Sequence, residues 1–340
     1  MFNFSPCLRI GALVLCGATQ CAGDDALPDA KPVPACQALP LPHNEISLQF
    51  HGRELTRYVA PTGQPRPFWY PLAHSSGRSL TRMGHPHDPI THSHHNSVWI
   101  SHQNVSGTSF WEDKQGANRP RIVQQKVEEL WDGGQGCGAT VVNDWLAADE
   151  VGGGRALLMS ERRRFAAQLA QGVDPAAAWW LLVDLEFSAP SDKPVIFGVT
   201  AFGIIGVRLA KTMGVNDGGG RILNSEGGLN EPAVFRQPAR WVDYSGPLAN
   251  ETTGGVTLMD HPQNPGHPPP FHVRNDGWMG PCLSFTAPLE IKPGSPLRLR
   301  YALFCHDSTL DREKIDSRWK EFAASAPVGA GETPKAPLQK

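Results

Sequence analysis

From about residue 43 to residue 310, short apolar and β-branched runs alternate with glycine, proline and small polar residues. In LRLRYALFCH (297–306), Leu297, Leu299, Tyr301, Leu303 and Cys305 alternate with Arg298, Arg300, Ala302, Phe304 and His306. A period of two marks a strand with one face more apolar than the other. EISLQFHGRELTRYVAP predicts a hairpin turning at His51-Gly52. SVWISH, RIVQQKVEELW, ATVVNDWLAA, GRALLMSERRRFAA, AWWLLVDLEFSA, VIFGVTAFGIIGVRLA and GGVTLMDH predict further strands. One helix is expected, over Leu310–Phe322, with Asp307 or Ser308 as its cap and Ile315, Trp319 and Phe322 on one stripe. The pattern predicts an all-β chain, a large antiparallel β-sandwich with a short C-terminal helix.

Composition adjusts this picture at the ends. Residues 1–23 have the make-up of an export signal: Arg9, an apolar core over Ile10–Ala18, and small residues before Asp24-Asp25. Export to the periplasm or the exterior is expected after its removal. Residues 24–42 are proline-rich and read as a linker, 43–323 as one β-sandwich domain, and 324–340 as a disordered tail. Cys36, Cys137, Cys282 and Cys305 remain after cleavage, and sequence alone leaves disulfides and free thiols both open. The net charge of −2 gives no reason to expect a nucleic-acid partner. No later apolar run is long enough for a membrane span.

The chemistry is expected where histidine concentrates. Six of the 13 histidines lie between His85 and His102, in HPHDPITHSHHNSVWISH. Histidine moves protons near neutral pH and ligates metals as the neutral ring. His92, His94 and His95 are candidate ligands of a divalent metal, although a strand would point His95 away from the other two. No other cofactor is expected. By the same alternation His102 shares a face with Val98 and Ile100, and Trp99 faces the other way. Glu226 in NSEGGLNEP sits in a glycine-flanked turn, where a ligand can approach a carboxylate that acts as acid or base. ARWVDYSG supplies Trp241, Asp243 and Tyr244, aromatic planes beside an acceptor, which suit a sugar. MDHPQNPGHPPPFHVRNDGW adds His261, Asn264, His272 and Arg274 on a segment stiffened by five prolines. Arg208 interrupts an apolar strand, and a charge so placed is usually paired or functional.

RPFWYPL, HSHHNSVWISHQNVSGTSFW, GVRLA, ILNSEG, ARWVDYSG, DHPQNPGHP, FHVR, LEIKPG and LRLRYALFCHD occur in this order. With them the chain resembles, over about 66–323, the uncharacterised "PmoA family", methane oxygenase-like in name only. Departures are Thr91 in place of an Asp, Gln103, Asn104 and Ser106 within a His-Gly-Asp-Val-Asn-Gly pattern, and Phe271 in place of a Trp. The resemblance implies a supersandwich similar to galactose-mutarotase-like folds, which handle sugar protons with His and Glu on a concave sheet.

These readings together predict a carbohydrate or glycoside ligand and acid–base chemistry of the epimerase, lyase or hydrolase kind. Glu226, His95, His102 and His272 are the expected acid/base residues. Arg208 and Arg274 would stabilise negative charge, and Trp99, Trp111, Trp241 and Tyr244 would hold the sugar. Asp243, His261 and Asn264 would add polar contacts. Two rivals are a non-catalytic glycan-binding module and a metal-dependent hydrolase or lyase built on the histidine run.

Overall fold

The computed structural model describes Met1 and residues 32–113, 118–148, 154–175, 177–249 and 252–329. The chain divides into two units, Met1–Val33 and Pro34–Lys340, and the second contains the sheets. The expected signal over 1–23, beyond Met1, and residues 330–340 of the expected tail lie outside the described residues, whereas residues 324–329 of that tail are held to the domain by Arg300, which donates to the Ser325 and Ala326 carbonyls, and by Asp184, which accepts the Val328 N–H.

Two antiparallel sheets face each other. One has nine strands in the order Cys36–Leu41, Glu45–Phe50, Arg53–Val59, Phe68–Leu72, Val98–His102, Gly203–Arg208, Trp278–Pro281, Pro270–Arg274 and Gln237–Pro238. The other has eight, in the order Arg221–Asn224, Trp241–Ala249, Thr252–Asp260, Leu297–His306, Ala178–Ser188, Arg155–Leu169, Gly136–Ala148 and Arg121–Trp131. The chain is therefore an all-β sandwich, as the strand pattern predicts.

Alternation assigns the faces. Leu299, Tyr301, Leu303 and Cys305 point into the core between the sheets, against residues such as Val98, Ile100 and Ile205 from the nine-stranded sheet. Ala302 and Phe304, on the other face, pack beneath the helix Arg312–Ala324 with Ile315 and Phe322. That helix starts later than expected. Its cap is Asp311, which accepts the backbone N–H of Lys314, because a cap must lie three residues before the N–H it receives. No helix among the described residues is long and apolar enough to cross a membrane.

The structure departs from the pattern at three places. Residues 36–41, expected in the linker, form an edge strand, because Cys36 and Ala38 alternate into the core while the backbone pairs with Glu45–Phe50. The run 195–208 is two strands, Val195–Phe197 and Gly203–Arg208. Gly203, at φ 102°, makes the entry to the second, and a Cβ there would stand 2.9 Å from the Ser101 carbonyl oxygen. The proline-stiffened stretch after His267 becomes the hairpin Pro270–Arg274/Trp278–Pro281. Cys36, Cys137, Cys282 and Cys305 are all buried free thiols.

Candidate functional site

The outward face of the nine-stranded sheet holds the aromatic and basic residues. Pairing places Phe68 beside Trp99, and Trp99 beside Gly206. The adjacent row places Arg208 beside Trp278 and Trp278 beside Arg274, and His272 pairs with Gly280. Gly206 leaves the space the rings need: a Cβ there would lie 2.6 Å from Trp278 Cη2 and 2.9 Å from Trp99 Cζ2.

A cavity of about 420 Å³ opens over these rows. Trp111, Phe202 and Trp278 supply its flat walls, and His85, His92, His94, His95 and His272 its imidazoles. Gln103, Glu112, Arg208, Arg274 and Asp276 complete the lining. A larger cavity of about 510 Å³ lies beside the C-terminal helix. Its histidine, His306, has both ring nitrogens engaged, by Asp243 and by the Ser308 carbonyl, so it has no nitrogen left for a ligand.

The histidine loop is irregular, so strand alternation does not apply to it, and Arg66 holds it in place. The buried Arg66 guanidinium donates to the carbonyls of His94, Phe110 and Trp111 and to Asn96 and Asp113. It thus ties the loop carrying His94 to the loop carrying Trp111 and Glu112.

Hydrogen bonds assign the ring protons. His85 Nδ1 accepts the backbone N–H groups of His87 (3.0 Å) and Asp88 (3.1 Å), so its proton is on Nε2, which donates to Asp276 Oδ2 at 2.9 Å. Asp276 Oδ1 accepts from Arg208 Nη1, also at 2.9 Å. Burial alone would raise the Asp276 carboxyl, but the Arg208 guanidinium holds it below the ordinary range. His92 Nδ1 donates to Asp88 at 2.8 Å. His272 Nδ1 makes a long 3.4 Å contact to the Ala201 carbonyl, which can only accept, so Nε2 carries the lone pair. His95 stacks on both Trp99 and Trp278, 5.4 Å from each, the two indoles being tilted by 37° to one another, and among the described residues its buried Nδ1 has no partner.

Desolvation keeps these rings neutral. Burial, and then the nearby Arg66, lowers His94 to about 4. Burial, and then Arg274, lowers His272 to about 4. Burial pushes His95 down further, with the neighbouring His94 adding to it.

Of the residues singled out in the sequence, His92, His94, His95, Trp111, Arg208, His272 and Arg274 meet in this cavity, with Trp99 stacked beneath His95. The others lie elsewhere. His102 is on the core face: its Nε2 donates to Ser284 Oγ, its Nδ1 accepts the Asn104 N–H, and its ring stacks on Phe197. The Glu226 carboxylate, 64% exposed, sits at the edge of the eight-stranded sheet near Arg240. Trp241 is buried under the C-terminal helix and donates to Asp316. Asp243 accepts from Thr257 in the interior. His261 and Asn264 both bond Arg300. Tyr244 contributes indirectly, because its hydroxyl bonds the carbonyl of Asn275, next to Asp276.

The structure does not gather His92, His94 and His95 as a three-ligand set. Among the described residues no three His, Cys, Asp or Glu side chains converge as a metal requires. The rings instead pack face to edge, with His94 and His95 4.6 Å apart at 84°.

The family comparison matches residues 45–320. The chain belongs to a family of unknown function, DUF6807. This is a different name from the one the sequence resemblance carries, and it assigns no activity. No curated protein matches the chain. Among solved structures, a provisionally named kojibiose phosphorylase from human microbiome is 9% identical, with a TM-score of 0.31. The match covers 86% of this chain, which spans only 37% of that protein.

Sequence reasoning did not select His85, Asp276, Glu112, Gln103, Phe202 or Arg66 as site residues. His85 was legible as part of the histidine run. Asp276 and Glu112 are ordinary loop acids in sequence, and only the pairing of distant strands brings them to the cavity.

Proposed function

We propose that this chain is an exported carbohydrate-active protein whose cavity carries acid–base chemistry on a sugar, of the epimerase, lyase or hydrolase kind. The observation behind this reading is the meeting of flat aromatic walls, neutral imidazoles, an arginine–aspartate pair and a second carboxylate in one cavity. Its volume is within the usual range for small-molecule sites, about 300–1,000 Å³. Sugars offer apolar C–H faces to Trp111, Phe202 and Trp278, and hydroxyls to the polar groups around them. His272, with its Nε2 lone pair and neutral ring, is the general base. His95 is the second ring of the acid–base set, and Arg208 and Arg274 stabilise developing negative charge. Glu226 and His102 lie outside the cavity and are given no catalytic role.

The test is a panel of sugars and glycosides incubated with the full chain and followed by NMR. Turnover is expected, and His272→Gln is expected to reduce it by roughly 10²–10⁴-fold. Tight binding of a sugar with no product formed would assign the cavity to a glycan-binding module instead.

A further inference from the structure

The buried guanidinium of Arg208 is held at one corner only. Its Nη1 donates to Asp276, while among the described residues the buried Nε and Nη2 have no hydrogen-bond partner. Those two N–H groups form one straight edge of the planar group, the edge that a carboxylate accepts with both of its oxygens. Two more donors in the same rows have no acceptor, the indole Nε1 atoms of Trp99 and Trp278. Buried polar groups in folded proteins are almost always paired, so these unanswered donors, of which those of Arg208 and Trp278 belong to residues lining the cavity, indicate a ligand that brings acceptor oxygens.

The plane of the fork is set in advance. Asp276 cannot turn away from Arg208, because its second oxygen is held by His85, and His85 is held by the backbone of His87 and Asp88. The formal charges of the lining balance, with Arg208 and Arg274 against Glu112 and Asp276. The cavity therefore has no net charge with which to draw any passing anion, and selectivity rests on the geometry of the fork.

The geometry points to an acidic sugar, a uronic acid or its glycoside, with its carboxylate on Nε and Nη2 of Arg208 and its ring against the aromatic walls. This names the substrate class of the site proposed above and rests on that reading.

Calorimetric titration of the full chain tests it, with methyl galacturonoside and methyl glucuronoside as probes. Each is compared with its methyl ester and with the corresponding neutral methyl glycoside. The free acid is expected to bind roughly 10- to 100-fold more tightly than the ester, as for charge-assisted hydrogen bonds gained. Arg208→Lys keeps the charge and removes the fork, and is expected to abolish the preference for the acid over the ester. Arg208 is buried, so this variant can lose its fold. The comparison of acid with ester on the unaltered chain decides the question without it. Ester or neutral glycoside binding as tightly as the acid overturns the inference and leaves the sugar reading standing. A sulfated or phosphorylated sugar binding more tightly than either uronoside also overturns it. Failure of every sugar, acidic or neutral, to bind removes the sugar reading and this inference together.

Discussion

His272 combines three constraints on one ring. Phe202 stacks on it at 4.8 Å, Phe235 meets it edge-on at 4.9 Å, and the Ala201 carbonyl accepts from its Nδ1–H. The lone pair on Nε2 is present only while the ring is neutral. Burial favours the neutral ring and places the titration near 4. Activity that depends on this base is therefore expected to hold at neutral pH and to fall as the pH drops through about 4. A kcat/KM–pH profile checks this, and an acid limb centred near the ordinary histidine value of about 6.5 would assign the base elsewhere. Glu226 is the contrasting case. Its exposed carboxylate accepts from its neighbour Ser225 at 2.9 Å and lies 4.0 Å from Arg240. Glu226→Gln is expected to change stability by no more than about 0.5 kcal/mol and to leave sugar binding intact. Loss of binding in that variant would return Glu226 to the site.

At the scale of elements, glycines decide how aromatic rings lie on the sheet. The strand Gly203–Arg208 runs between the strands that carry Trp99 and Trp278. Both indoles lean over Gly206, and a rigid indole cannot give way as a flexible side chain can. Gly206→Ala is expected to cost about 1–3 kcal/mol through overpacking, read as a lower melting temperature with altered tryptophan fluorescence. An unchanged melting temperature would mean that the rings do not lie as described. Loops finish what the strands begin. Arg66, just before the strand Phe68–Leu72, ties the histidine loop to the Trp111 loop, and Tyr244, from the opposite sheet, bonds the backbone next to Asp276. The cavity is thus held from both sheets, although it opens on one.

At the scale of the whole molecule, the two sheets divide the work. The space between them is filled by one apolar core that includes the fully buried Glu161–Arg163 pair, with Arg163 over Trp69 and Tyr58. The outer face of one sheet is closed by the C-terminal helix, and the outer face of the other carries the cavity. Burying so many histidines has a consequence for stability. His94, His102, His261 and His272 are each lowered to about 4, mainly by burial, and His95 is lowered further. Their folded-state values lie below the unfolded value of about 6.5, so the unfolded chain binds more protons between the two. Stability is then full above about pH 6.5 and is lost as the pH falls towards about 4, by up to about 1.4 kcal/mol per pH unit for each such histidine. Denaturant unfolding measured between pH 7 and pH 4 checks this. A flat profile over that window would mean that the rings are not desolvated as found.

Element type was decided locally. The alternation in Leu297–His306, the hairpin turn at His51-Gly52 and the stripe of Ile315 and Phe322 depend only on neighbours along the chain, and each was legible in the sequence. Alternation also separated Trp99 from His102, because side-chain direction on a strand has a fixed period of two. The short strands at Cys36–Leu41 and Trp278–Pro281 were not legible, since pairing with a partner, not their own composition, makes them strands. The meeting of Arg208, His272, Asp276 and Glu112 belongs to tertiary structure alone. It is set by which strands pair and in what register. Hydrogen bonds between distant segments determine that pairing, and no spacing along the chain encodes it. For the same reason Glu226, His261 and Trp241 resembled the cavity residues in sequence yet lie elsewhere in the fold. Residue chemistry is written position by position, whereas a site depends on distances that only the folded chain defines.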